Sequence, residues 1–330
     1  MDSTSPSGTF TTRHDFALGK LTTLHAEVAK AAEGVELQGL SIFTVGSYGR
    51  LEASDQSDID LFFIYERASP KETRRTNELK LFGRLIDVVE SMSFPALSND
   101  AQYLESHVIE DVLQSLGSPS DDARNFFTMR MLLLLESRSV YGDESYARVI
   151  KEIVDSYYRD YPSHEQSFRP WFLLNDIMRF WKTLLLNYEH KRNRPQDNLD
   201  DPKPRVKNFK LKFSRATTCF ATICAIGSSP TPVRAEDIQR MVSITPRERL
   251  SLVAANAPHT AELVADILND YSWFLEQTAL PTEQLEAMFS NSENKRAAFK
   301  RGDDYGKKLY ELLKLIDTDS GGQLIRALVI

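Results

Sequence analysis

The sequence predicts an α+β protein in which a small mixed sheet with its covering helices is followed by an all-helical domain. Three observations predict it. Two apolar runs of strand length, Ser41–Val45 and Ile59–Ile64, lie on either side of a Gly46-Ser47 turn. Helical periodicity brackets them, at residues 14–33 and 70–92. Beyond Pro119 come long helical patterns separated by Pro and Gly-Ser clusters, with strand signals nearly absent. The expected domains are residues 1–118 and 119–330.

Each element has a local reason. Phe16, Leu18, Leu21, Leu24, Val28 and Ala32 recur at helical spacing, so the first helix should pack on the sheet. Ser41–Val45 reads as a strand closed by Gly46-Ser47, with Tyr48–Ala53 as one short helical turn. In the strand that follows, alternate side chains point to opposite faces. Asp58 and Asp60 therefore project together, while Ile59, Leu61 and Phe63 project the other way. Pro70–Met92 reads as a helix with Leu79, Phe82, Leu85, Ile86, Val89 and Met92 on one side, and Pro70 suits its first turn. Ala101–Leu104 is the next extended candidate, with Asp100 at its head and Glu105 beyond. Helices are then expected at about 121–138, 144–159, 170–192, 206–226, 235–242, 247–255, 258–278, 281–290 and 294–316. Asn193–Pro204, with three prolines, is expected to be a loop.

The chemistry lies in the aspartates. Two neighbouring carboxylates repel unless a cation sits between them, and oxygen-only ligands suit Mg²⁺. Mg²⁺ held by one or two carboxylates completes its shell with water and substrate phosphates. The Gly46-Ser47 turn offers backbone N–H groups and a hydroxyl to an anion. A triphosphate could be held by that turn at one end and by metal on Asp58 and Asp60 at the other.

The stretch Gly46-Ser47-Tyr48-Gly49-Arg50-Leu51-Glu52, then Ser57-Asp58-Ile59-Asp60-Leu61, resembles the signature of the nucleotidyltransferase superfamily that includes DNA polymerase beta. Its wording is similar to that of the uridylyltransferases acting on bacterial PII nitrogen-signalling proteins. Arg130–Arg138 followed by Tyr141-Gly142-Asp143 resembles the helix downstream of their catalytic core. The resemblance covers roughly residues 40–145 and implies a third acid on a later strand. Asp100 is the first choice and Glu105 the second, since Asp87 lies inside a helical pattern. It implies two Mg²⁺ ions, an NTP substrate, and phosphate contacts from Gly46, Ser47 and Arg50.

Bulk properties bound the rest. The chain has 330 residues, 42% apolar and 26% charged, the composition of an ordinary globular protein of one or two domains. Cys219 and Cys224 lie in an apolar stretch and fit neither a disulfide framework nor a zinc site, so a reducing cytoplasm is expected. Met1–Thr12 lacks the apolar core of a signal peptide, and no apolar run approaches the ~20 residues a spanning helix needs. No His pair stands at ligand spacing, and no Walker or Rossmann motif is present. A phosphohydrolase-like second activity is therefore not expected.

The net charge of −7 hides an asymmetry: between Arg179 and Arg215 eleven basic residues face four acids. That fits a focused phosphate or nucleic-acid site. On the helix Trp171–Arg192, Asn175, Arg179 and Lys182 form a polar stripe among apolar neighbours, where an unpaired charge is costly. Lys207, Lys210 and Ser214 are expected to share a face, with Phe209 and Phe213 turned inward. The resemblance implies that Arg179, Lys182 and Lys210 grip the triphosphate, because charge-assisted bonds to phosphate exceed neutral ones. The expected function is metal-dependent transfer of an NMP to a hydroxyl of a macromolecule, protein or RNA, without membrane involvement. The alternatives are a catalytically weak nucleotide-binding regulator and an RNA-directed toxin or defence enzyme.

Overall fold

The computed structural model describes residues 6–67, 71–95, 104–192 and 201–329. Two compact units form: Phe10–Ser156, and Tyr157–Ile330 together with Met1–Thr9. The first contains α1 (Pro6–Ala32, from Phe10 on), β1 (Leu40–Thr44), α2 (Gly46–Gly49), β2 (Leu61–Tyr65), α3 (Lys71–Ser91), β3 (Ser106–Val108), α4 (Ile109–Gln114), α5 (Pro119–Ala123), α6 (Phe126–Glu136), β4 (Arg138–Tyr141) and α7 (Asp143–Ser156).

The sheet is mixed, in the order β3-β2-β1-β4. β1 runs antiparallel to β2, with Thr44 opposite Leu61, and antiparallel to β4, with Thr44 opposite Arg138. β2 and β3 are parallel, with Phe63 opposite Ser106. Every residue of β1 is buried, which requires cover on both faces. On one face Ile42, Leu61, Phe63 and Tyr65 join Leu21, Leu24 and Val28 of α1 and Leu81, Phe82, Leu85 and Val89 of α3 in one core. Phe63 meets Phe82 edge to face at 4.8 Å, a pair worth about 1 kcal/mol beyond its burial. On the other face Phe43 stacks on Phe62 and tilts against Tyr146 of α7. Leu18, Leu79 and Ile86, expected on buried faces, stand exposed instead. The inward stripe of α3 runs one position away from Leu79, through Glu78, Leu81, Phe82 and Leu85.

The first unit extends well past the expected boundary at residue 118. A strand within the region read as all-helical, Arg138–Tyr141, completes the sheet beside β1, and α6 and α7 pack with it. The positive φ of Gly142 lets the chain turn from β4 into α7 where a Cβ would stand 2.3 Å from the Leu40 carbonyl oxygen. Inside this unit Arg130 forms a bidentate pair with Asp121, both fully buried.

The second unit is helical: α8 (Trp171–Arg192), α9 (Lys203–Lys210), a π-helical turn (Leu211–Arg215), α10 (Ala216–Ser228), α11 (Ala235–Ser243), α12 (Pro246–Asn256), α13 (Ala261–Gln277), α14 (Thr282–Ser290), α15 (Ser292–Asp319) and α16 (Gln323–Val329). α10 is buried on nearly all sides, as its all-round apolar and threonine content requires. The hydroxyls of Thr217, Thr218 and Thr222 donate to the carbonyls four residues earlier, which satisfies them without solvent. Cys219 and Cys224 are free thiols on this helix, and burial pushes both up to about 12. Among the described residues no helix is long and apolar enough to cross a membrane. The architecture is thus the α+β one expected, a small mixed sheet followed by helices.

Candidate active site at the Gly46-Ser47 turn

β1 delivers the chain into a left-handed residue. Gly46 has φ +71°, and a Cβ there would meet nothing within 4 Å, so the backbone angle, not space, calls for glycine. Gly49 has the opposite reason: its Cβ would fall 1.8 Å from the carbonyl oxygen of Glu136. The turn closes on itself through Arg50 N–H to Gly46 O and Glu52 N–H to Ser47 O. Among Leu40–Arg50, Ser47 alone is not buried. The turn therefore presents one side chain, a hydroxyl.

The aspartates follow across a short loop. Ser57 Oγ accepts from Ser54 N–H, and Ser54 Oγ accepts from Gln56 N–H, which fixes the bend. Ile59 is fully buried in the sheet core while Asp58 is exposed and Asp60 half-buried. The alternation read from the sequence therefore holds, although the regular strand begins only at Leu61. Val45 N–H donates to Asp60 O at 3.3 Å, which ties the aspartate segment to the residue before Gly46. Tyr48 lies buried beneath, edge-on to Phe94 at 5.4 Å. Burial pushes its hydroxyl up to about 12, and the charges of Asp58 and Asp55 add to the rise. Tyr48 is thus a neutral phenol within electrostatic reach of Asp58.

Arg50, expected to assist at the phosphates, is engaged by two carboxylates of its own unit. Its guanidinium is buried, with Nε donating to Glu52 Oε2 at 2.7 Å and Nη1 to Glu136 Oε2 at 2.5 Å. It braces the turn against the end of α6. Glu52, Glu136 and Gly49 are the residues that the sequence reading missed. A carboxylate closing the apolar run Met131–Leu135 was the available signal, since a buried charge demands a partner.

Asp100 lies outside the described residues. Glu105 is exposed, and continuing the parallel register by one residue sets it beside Phe62 on the strand next to Asp60. Among the described residues no group of three His, Cys, Asp or Glu could hold a metal ion, so Glu105 does not complete a site with Asp58 and Asp60.

Arg179, Lys182 and Lys210 all belong to the second unit. Arg179 is half-buried, 3.7 Å from the carboxylate of the buried Asp176, which also accepts from Tyr157. Lys182 and Lys210 are exposed, so the burial argument for Lys182 fails. Ser214 does not share a face with Lys207 and Lys210: it is buried and donates to Lys210 O. The wider π turn over Leu211–Arg215 rotates the later residues out of the α-helical phase that placed them together.

Residues 28–138, about a third of the chain, match the family model of the nucleotidyltransferase domain. The match contains Gly46, Ser47, Arg50, Asp58, Asp60 and Asp100, and supports the superfamily resemblance of the motif. None of the curated proteins matches the chain significantly.

Proposed function

We propose that the chain is a metal-dependent nucleotidyltransferase that moves an NMP from an NTP to a hydroxyl of a macromolecule, protein or RNA, and releases pyrophosphate. One observation carries the reading. Exposed Asp58 and half-buried Asp60 flank the buried Ile59 just before β2, and the Asp60 carbonyl accepts from Val45 N–H, the residue before a glycine-serine turn. A nucleotidyltransferase domain match over the same residues supports it.

The donor set fits a hard cation. Both side chains reach solvent at least in part, both are oxygen donors, and Ile59 between them is locked in the core, so the pair has little freedom to turn apart. Two divalent ions held there would lower the pKa of the acceptor hydroxyl and offset charge on the leaving pyrophosphate. Asp58 and Asp60 bind and orient; Asp100 is proposed as the third carboxylate. The N–H groups following Gly46 and the Ser47 hydroxyl would donate to the outer phosphates. Arg179, Lys182 and Lys210 are proposed to neutralise charge on the triphosphate. Arg50 holds the turn, so Ser47 stays in place when phosphate leaves.

The similarity to PII uridylyltransferases favours a protein hydroxyl as acceptor, with the base of the NTP open. Two buried free thiols are consistent with a reducing cytoplasm. The second reading is a nucleotide-binding regulator of weak activity, in which no third carboxylate joins Asp58 and Asp60. Incubation with each labelled NTP, Mg²⁺ and a cell lysate separates them. Transfer of label with pyrophosphate release supports the enzyme; Mg-dependent NTP binding without release supports the regulator.

A further inference from the structure

We infer that a cavity of about 700 Å³ in the second unit binds a guanine ring, carried by a free nucleoside or by an unpaired nucleotide of RNA. The inference goes beyond the transfer reading and does not depend on it. Part of the lining is aromatic. Tyr158 and Tyr161 border the cavity with ring centroids 5.9 Å apart, and both rest on Phe168, at 4.9 and 5.2 Å. The start of α11 supplies the polar part through Arg234, Glu236, Asp237 and Arg240. Val233 N–H donates to Phe168 O at 2.9 Å, which ties the residue before Arg234 to the ring that carries both tyrosines. The site is thus held in shape before a ligand arrives, at a volume usual for small-molecule sites.

The charges of the lining choose the ligand. Asp237 Oδ2 accepts from Arg234 N–H at 2.9 Å, and its Oδ1 pairs with Arg240. The Arg234 guanidinium and the Glu236 carboxylate have no ion pair among the described residues. Burial raises the pKa of the Tyr158 hydroxyl, and the charges of Asp237 and Glu236 add to the rise, so both carboxylates stand within electrostatic reach of that ring. The same hydroxyl is buried without a hydrogen-bond partner among the described residues, a cost that lasts until a polar group reaches it.

Two arginines and two acids sum to zero, and the acids in the first turn of α11 already offset the helix dipole, so a polyphosphate gains little there. An apolar ligand would strip water from Arg234 and Glu236 and return nothing. What matches is a neutral planar molecule with acceptors on one edge and donors on the next. Arginine gives a fork to paired acceptors, and a carboxylate takes paired donors. Among the RNA bases guanine alone offers both: O6 and N7 accept, while N1–H and N2–H₂ donate. Adenine sets its N6–H₂ against the arginine. Stacking on Tyr158 and Tyr161 is indifferent to the base, so Arg234 and Glu236 carry the selectivity.

The test is equilibrium dialysis of labelled guanosine against the full chain, without Mg²⁺ or NTP. Guanosine should bind, with adenosine, cytidine and uridine each weaker by about 10-fold or more, the discrimination of one bidentate pair. Arg234→Gln and Glu236→Gln change exposed side chains and should keep the wild-type thermal midpoint. Each should weaken guanosine by about 10-fold or more and narrow its lead over adenosine. Arg296→Gln, which removes an exposed arginine elsewhere in the same unit, should do neither. No guanosine binding by the wild type, equal binding of adenosine, or unchanged affinity in both cavity variants would overturn the proposal. So would loss of binding in Asp58→Asn, because guanosine would then be held at the turn of the first unit. Pyrophosphate release from NTP is followed in the same preparations. Guanosine bound by a chain that releases none leaves the cavity standing and removes the transfer reading; release without guanosine binding does the reverse. Competition by an oligouridylate with one central guanosine assigns the ring to RNA, and its absence assigns it to a free nucleoside.

Discussion

Arg50 and Glu136 lie 86 residues apart in sequence and meet with Nη1 2.5 Å from Oε2, both side chains buried. The contact joins the turn after β1 to the last residue of α6 just before β4, so one charged pair links three parts of the first unit. Glu52 supplies a second carboxylate to the same guanidinium. Removing the arginine leaves two carboxylates in a space without solvent. Arg50→Met should therefore destabilise the chain by about 3–5 kcal/mol, the usual cost of breaking a buried pair, read from urea denaturation. A loss under about 1 kcal/mol would mean that the pair is not buried in solution.

The two glycines of the turn should respond differently. Gly46→Ala meets open space and bears only left-handed backbone strain, about 1–2 kcal/mol. Gly49→Ala drives a methyl into the Glu136 carbonyl, a backbone atom that cannot swing away. It should cost several-fold more, or prevent folding altogether, in the same denaturation assay. Equal effects from the two would contradict the packing of the turn on α6.

Tyr48 gives a pH signature. Its folded pKa, raised from 10.0 to about 12, lies above the unfolded value, so between those values the native state binds more protons. Stability from this group is full below pH 10 and is lost as pH rises through 12. At about 1.4 kcal/mol per pKa unit, the loss is at most about 3 kcal/mol. Tyr48→Phe should flatten the fall of stability between pH 10 and 12; an unchanged curve would show that the phenol is not desolvated.

The aromatic centre of the second unit is the place for a packing test. Phe213 is fully buried, stacked on Phe274 at 5.0 Å and on Tyr305 at 4.7 Å. Phe213→Ala should cost about 3–5 kcal/mol, whereas Lys182→Ala, on an exposed side chain, should change stability by less than about 0.5 kcal/mol. If Lys182 grips phosphate, its substitution raises KM for the NTP while thermal stability stays put.

Some of this was legible in the residues and some was not. The turn and the aspartates could be read because their signals are local: a glycine where φ must be positive, and a period of two that sends Ile59 inward and Asp58 outward. The role of Arg50 could not. An arginine four residues after a phosphate-type glycine reads as a ligand unless its partner is known, and Glu136 is a long-range partner that no periodicity reveals. The strand Arg138–Tyr141 was hidden for a related reason. Four residues are too few for alternation to show, and only pairing with β1 makes them a strand. Leu79 and Ile86 misled because two adjacent apolar stripes share α3, and contact with the sheet chose the other. Ser214 misled because a π turn has no sequence signature.

The central claim is that Asp58 and Asp60 together hold a divalent ion against an NTP. Loss of a group that only hydrogen-bonds to a metal ligand already costs about 10–100-fold, so losing a ligand should cost more. Label transfer from α-³²P-NTP by Asp58→Asn, with its thermal midpoint matched to the wild type, tests the claim most directly. A fall beyond about 100-fold in a folded variant is the predicted result. Transfer at the wild-type rate would contradict it.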